Sequence, residues 1–350
     1  MPPATRRRRG RRHRRNAGVT RPKVAVIGTG GTISSLGRGP LDILDYGALG
    51  KVMEVGELLA RIPELAEIAE PVPVPFRAVV STRIAWPEWH ALLLLCERLA
   101  AEQPDLAGIV VTHGTASLEE TAYFLSLTLK VGLPVVLVGA QRPASALSGD
   151  GPLNLVNAVR VAAAPESRGL GVLVVLNDEI QAAREVTKTA TQRMQTFRSA
   201  DFGVLGHADG DRIAYYRRPL RRVAPDTEFD VRSLQSLPRV DIAYTYAGAD
   251  GAAIRAFMEA GAAGIVAAGF APSFVTPDMA AALEEAVKRG VTVVMSTRAG
   301  SGRVVQGTRM REAGILAGDN LTPQKARILL SLALTRTQEP SEVARIFATY

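Results

Sequence analysis

Short apolar runs alternate with stretches of helical periodicity along most of the chain. Lys23 to Gly28 (KVAVIG) reads as a buried strand running into a glycine-rich turn. Further strands are predicted near 77–80, 107–112, 134–138 and 171–176, with helices near 86–102, 118–130 and 152–164. This alternation predicts an α/β fold, a parallel sheet covered by helices on both faces. Residues 34–50 are Gly-rich and weakly patterned, and read as a mobile loop. The pattern lapses between 214 and 238, where Arg217-Arg218-Pro219-Leu220-Arg221-Arg222 marks a connection between domains. It resumes with strand 240–246, helix 251–260, strand 263–268, helix 276–288 and strand 291–296, followed by helices near 322–334 and 341–350. The expected organisation is a larger N-terminal α/β domain over 23–214, a linker over 215–238 and a smaller C-terminal α/β domain over 239–350. No internal repeat is visible.

Composition narrows the class without naming it. The chain has 350 residues, 47% hydrophobic and 22% charged, the balance of an ordinary globular protein. Its longest apolar run, Ala91 to Cys96, falls far short of the ~20 residues that cross a bilayer. A membrane-spanning protein is not expected. A single cysteine, Cys96, excludes an intramolecular disulfide and a Cys-based zinc site, and His13, His90, His113 and His207 show no metal-ligand spacing.

The formal charge of +8 belongs to one end of the sequence. Ten of the 42 Lys/Arg lie in residues 1–23, which hold no acid, so 32 basic residues face 34 acidic ones in the remainder. Residues 1–22 therefore read as a disordered basic tail. Such a tail would make only weak, salt-dependent contact with nucleic acid, and a simply solvated tail is the favoured reading. No apolar segment follows it, so it is not read as a secretion signal, and the expected location is the cytoplasm.

Three segments place chemistry-bearing residues at strand ends. Gly28-Thr29-Gly30-Gly31-Thr32-Ile33-Ser34-Ser35 follows the first strand, where open parallel sheets bind ligands. Paired glycines admit close backbone approach, and Thr29 and Thr32 read equally as turn-forming hydroxyls or as a nucleophile. The second segment is Val111-Thr112-His113-Gly114-Thr115-Ala116-Ser117-Leu118-Glu119-Glu120-Thr121. There Ser117 and Glu120 have capping-box spacing, His113 is better read as structural, and Thr115 is left unexplained. The third is Arg184-Glu185-Val186-Thr187-Lys188-Thr189, in which a lysine among hydroxyls can orient them, although spacing alone does not single out Lys188. No dinucleotide fingerprint, phosphate-binding loop or nucleic-acid-reading module is present.

Together these segments resemble the bacterial asparaginase/glutaminase family over nearly all of 22–350. The resemblance is carried by TGGTIS at 29–34, THGT followed by EETAYFL across 112–125, VGA and DGPLNL within 138–155, VTKT at 186–189 and LTPQKARILL at 321–330. It implies a two-domain fold with a larger N-terminal domain, a homotetramer of close dimers, and active sites shared between neighbouring subunits. It also implies no cofactor and no metal. The implied chemistry is hydrolysis of a side-chain amide through an acyl-enzyme. On this resemblance Thr32 is the nucleophile, Tyr46 the lid tyrosine that activates it, and Thr115 and Lys188 the second threonine and its lysine. Gly31, Ser81, Thr82, Gly114, Ala116, Gly248 and Arg309 fall on substrate-binding positions.

Four of those positions depart from the family pattern. Ala116 stands where the family has an aspartate that pairs with the substrate ammonium, and Thr82 replaces a glutamine. Gly248 replaces an asparagine, and Arg309 occupies the place of the neighbouring subunit's glutamate. A desolvated ammonium without anionic partners is costly. The departures therefore predict a substrate without an α-ammonium: an amide, lactam, lactone or ester of a small acid. A conventional L-asparaginase and a non-catalytic ligand sensor are the alternatives.

Overall fold

The computed structural model describes residues 21–49 and 51–350. The tail expected over 1–22 lies, for residues 1–20, outside the described residues. An eight-stranded sheet organises the N-terminal part. Its strands are β1 (Lys23–Gly28), β2 (Glu70–Pro75), β3 (Leu106–Thr112), β4 (Val135–Val138), β5 (Val172–Leu176), β6 (Glu179–Ala182), β7 (Gly206–Ala208) and β8 (Ile213–Tyr215). They lie in the order β8-β7-β6-β5-β4-β3-β1-β2. The pairs from β2 to β5 are parallel, whereas β5-β6, β6-β7 and β7-β8 are antiparallel. The sheet is thus mixed, not parallel throughout as the alternation predicted. β5-β6 and β7-β8 are tight hairpins, and the connection from β6 to β7 holds a separate two-stranded pair but no helix, so nothing forces a crossover.

The predicted strand at 77–80 is displaced as well. β2 runs over Glu70–Pro75 and carries Pro71, Pro73 and Pro75. Proline normally argues against a strand, but these three sit at every second position of an edge strand that pairs only with β1. Their missing N–H groups all fall on the unpaired side, where no ladder bond is lost.

Alternate residues of the central strands divide between two layers. Ala25, Ile27, Ile109 and Val111 pack with α1 (Trp86–Glu102) and α2 (Leu118–Thr128), while Val24, Val26, Val110 and Val136 pack with α3 (Gly151–Ala163). The C-terminal part has a parallel sheet β9-β10-β11-β12, formed by Val240–Tyr244, Gly264–Gly269, Thr292–Thr297 and Leu316–Ala317. One face is covered by α4 (Ala252–Glu259) and α5 (Pro277–Lys288). The other packs on α6 (Pro323–Ala333), whose buried residues continue into the cluster of α1 and α2, as do those of the final helix α7 (Pro340–Thr349). The apolar core therefore runs from the large sheet into the small one.

Residues 216–239 hold no helix or strand, yet they are fastened down. Phe229 and Val231 are buried in the shared core, Trp86 Nε1 donates to Gln235 O at 2.8 Å, and Lys130 Nζ donates to Thr227 Oγ1 at 2.7 Å. No helix among the described residues is long and apolar enough to cross a membrane.

Candidate active site

β1 and β3 are neighbours in the large sheet, so their carboxyl ends deliver two loops side by side. After β1 the chain turns through Gly30 and Gly31, at φ +89° and +87°, into a short 3₁₀ turn over Thr32–Ser34. After β3 it passes through His113-Gly114-Thr115 into α2. The loops cross at their glycines: a Cβ on Gly31 would sit 2.5 Å from both Cα and N of Gly114. A Cβ on Gly114 would meet Ser81 Oγ at 2.6 Å. This glycine contact brings Thr32, Ser81 and Thr115 to the wall of one cavity of about 400 Å³.

Thr32 Oγ1 and the Tyr46 hydroxyl are 2.8 Å apart, a hydrogen bond in which either can donate. Tyr46 comes from the loop expected over 34–50. That loop closes through the antiparallel pair Ser35–Leu36 and Lys51–Val52, with one helical turn at Tyr46–Leu49. On another part of the wall Lys188 Nζ donates to Thr115 Oγ1 at 2.8 Å. Lys188 ends the two-residue strand Thr187–Lys188, which pairs with Phe197–Arg198. Burial holds its ammonium below the usual lysine range, and the Glu119 carboxylate opposes that shift. Gly31, Thr82 and Ala116 line the same cavity. Among the described residues, Lys188 is the only charged side chain on that wall, and no carboxylate faces it.

The ambiguity between Thr29 and Thr32 is resolved by their partners. Thr29 is buried and donates to Thr112 O at 2.7 Å, tying the two loops together, while Thr32 opens on the cavity. His113 is structural, as its lack of partners in sequence suggested. Its Nδ1 bonds Gly114 O at 2.8 Å, and Thr121 Oγ1 lies 3.0 Å from Nε2 and receives Trp89 Nε1–H at 2.9 Å. Nδ1–H therefore donates, and Nε2 accepts from Thr121. Complete burial lowers the His113 pKa from 6.5 to about 4.

That depressed value predicts acid sensitivity. Between pH 6.5 and 4 the unfolded chain binds the His113 proton and the folded chain does not, so stability falls as pH falls through that window. The contribution is complete above about pH 6.5 and costs at most about 3 kcal/mol once lost. Urea unfolding at pH 7 and pH 4.5 should show a larger loss in the unaltered chain than in His113→Gln. Equal losses would remove His113 from the acid response.

The capping-box reading of Ser117 is corrected. Ser117 stands at the N-cap of α2, but its side chain makes no capping bond; Oγ donates instead to Ser81 O at 2.6 Å. Ser117 therefore steadies the segment that carries Ser81, a role with no signature in local spacing. Gly248 and Arg309 are not brought to this cavity within one chain. Gly248 lies in an exposed turn after β9 with φ +81°, and Arg309 lines a separate groove of about 810 Å³ in the C-terminal domain.

Residues 23–221 match the family described as Asparaginase, N-terminal, and residues 239–347 match the Glutaminase/Asparaginase C-terminal domain. The chain belongs to the asparaginase/glutaminase family. It is similar to "L-asparaginase 2" of Bacillus subtilis (strain 168), 43% identical over 94% of this chain and 87% of that one. It is also similar to "L-asparaginase 2" of Escherichia coli (strain K12), 40% identical over 95% of both. Among solved structures, a probable cytoplasmic L-asparaginase from Campylobacter jejuni superposes with a TM-score of 0.90. That pair shares 36% identity, covering 94% of this chain and 100% of the other. The fold is accordingly the two-domain asparaginase fold, and the chain is an amidohydrolase of the asparaginase type.

Proposed function

We propose that this asparaginase-family chain hydrolyses the side-chain amide of a small dicarboxylic monoamide through an acyl-enzyme on Thr32. The observation that carries the reading is the 2.8 Å bond between Thr32 Oγ1 and Tyr46 at the wall of the cavity. Thr32 Oγ1 attacks the amide carbon while its proton leaves along that bond, relayed through the Tyr46 hydroxyl to the departing nitrogen. Ammonia leaves, and water then cleaves the Thr32 ester to free the acid. Lys188, donating to Thr115 Oγ1, leaves the Thr115 hydrogen available for the oxygen that becomes negative in the transition state. Membership of the family supports the reading that a second copy of the chain supplies Gly248 and Arg309 to this cavity, within a tetramer of close dimers.

The names of the relatives favour L-asparagine as the substrate over the altered specificity expected from the sequence. One observation favours the altered reading: Ala116 and Thr82 line a cavity whose described wall holds no carboxylate for an α-ammonium. Coupled ammonia release with L-asparagine and with succinamate, which lacks the amino group, separates the two. Asparagine turned over at least as well as succinamate identifies a conventional L-asparaginase, and turnover of succinamate alone a desamino-amide hydrolase. If neither releases ammonia, lactones, esters and simple ligand binding remain.

A further inference from the structure

A second cavity, of about 460 Å³, opens where the starts of α1 and α2 meet α6 and the end of the segment joining the domains. It shares no lining residue with the proposed active site, and its size falls in the range of small-ligand pockets, about 300–1,000 Å³. Trp86 and Trp89, the two tryptophans of the chain, form its aromatic wall. Both rings are fixed in place. Trp86 Nε1 donates to Gln235 O at 2.8 Å, and the ring stacks on His90 with centroids 5.0 Å apart. Trp89 Nε1 donates to Thr121 Oγ1 at 2.9 Å, and its ring stacks on Phe124 at 4.9 Å.

Four charged side chains complete the wall, two of each sign. One pair is satisfied: Arg239 Nε donates to Asp241 Oδ2 at 2.7 Å. The other is not. Glu120 Oε2 stands 3.9 Å from Arg327 Nη2, beyond hydrogen-bond reach, and neither side chain bonds another group among the described residues. Their side chains are only 26% and 33% exposed. Burial pushes the Glu120 carboxyl above its usual range, and Arg327 draws it back only in part. An acid and a base that are partly desolvated and short of partners carry a cost, which a ligand bonding to both would offset.

The charge pattern selects the class of ligand. With its charges balanced, the wall gives no net attraction to a simple anion or a simple cation. It does present a carboxylate for an ammonium, a guanidinium beside it for a carboxylate, and fixed aromatic surface for an apolar group. An α-amino acid carries its two charges one carbon apart, so a single molecule reaches both Glu120 and Arg327. We propose that this cavity binds a free α-amino acid with an apolar side chain, its ammonium on Glu120, its carboxylate on Arg327 and its side chain against Trp86. The site lies outside the reaction proposed above and does not rest on it.

L-leucine is the probe, since it has no side-chain amide to hydrolyse. Both tryptophans line this cavity, so the tryptophan fluorescence of the full chain reads its occupancy, and titration calorimetry gives the affinity in parallel. A saturable fluorescence change with a midpoint at the calorimetric Kd is expected. Isocaproate, which lacks the ammonium, and isoamylamine, which lacks the carboxylate, should each bind about tenfold more weakly or worse. Glu120→Gln and Arg327→Met should weaken leucine to a similar degree. In Arg327→Met, leucine and isoamylamine should bind alike, because the group that tells them apart is gone. Neither heat nor a fluorescence change with leucine overturns the proposal. So does binding that both variants leave untouched, which places leucine elsewhere, the main cavity included. Analogues that bind as tightly as leucine also overturn it, leaving an apolar cavity with no use for the charges. That comparison is made on the unaltered chain and decides the charge requirement even if a variant does not fold.

Discussion

Thr32→Ala should reduce amide turnover by about 10⁴-fold or more, the scale seen when an acyl-accepting nucleophile is removed from an otherwise intact site. The fold should be spared. Thr32 is half-buried and its side chain makes one hydrogen bond, to Tyr46, so the unfolding free energy should move by no more than about 1 kcal/mol. The paired observation matters: a dead enzyme with an unchanged urea midpoint assigns the loss to chemistry. Ammonia release by the variant on whichever amide the unaltered chain prefers is the direct reading. A residual rate within tenfold would exclude Thr32 and move the nucleophile to Thr115, whose Oγ1 already has Lys188 as a partner.

Those two threonine–partner pairs were legible in the sequence only because several segments matched a family pattern in order. Composition and periodicity placed the loops at strand ends but left Thr29 and Thr32 equivalent and gave Lys188 no distinction. The hydrogen bonds that separate them join residues far apart in the chain, Thr29 to Thr112 and Lys188 to Thr115, and no local rule reports such pairs. The same limit explains Ser117, whose capping spacing is correct while its hydroxyl is spent on Ser81. Lys325 is the sharpest case. A lysine in an amphipathic helix is ordinarily read as solvated, and here it is wholly buried because the two domains share one core. Strand β2 is illegible for a different reason: Pro71, Pro73 and Pro75 suit a strand only at a sheet edge, and the local sequence does not report which strand is the edge.

Gly31→Ala is the second substitution with a large expected effect, and it tests the geometry on which the cavity depends. At φ +87° and ψ 179° the residue occupies backbone space open essentially to glycine alone, which costs an L side chain about 1–3 kcal/mol. The added methyl would also lie 2.5 Å from Gly114 N and Cα and 2.9 Å from His113 C. These are backbone atoms of a loop held by Gly114 O on His113 and packed against Ser81, so they cannot yield as a side chain would. Overpacking adds a cost of similar size, for a total loss of roughly 2–5 kcal/mol in urea unfolding. Turnover should fall by about 10²-fold even in the folded fraction, because parting the loops by 1 Å displaces Thr32 relative to Thr115. Gly56→Ala is the contrast. Gly56 lies in the Val55–Ala60 helix with nothing within 4 Å of its added Cβ, and alanine there should stabilise by about 0.5–1 kcal/mol and leave turnover alone. If Gly31→Ala behaved like Gly56→Ala, the two loops would not be in contact in solution. Thr32 and Thr115 would then be brought together by something other than the crossing of Gly31 and Gly114.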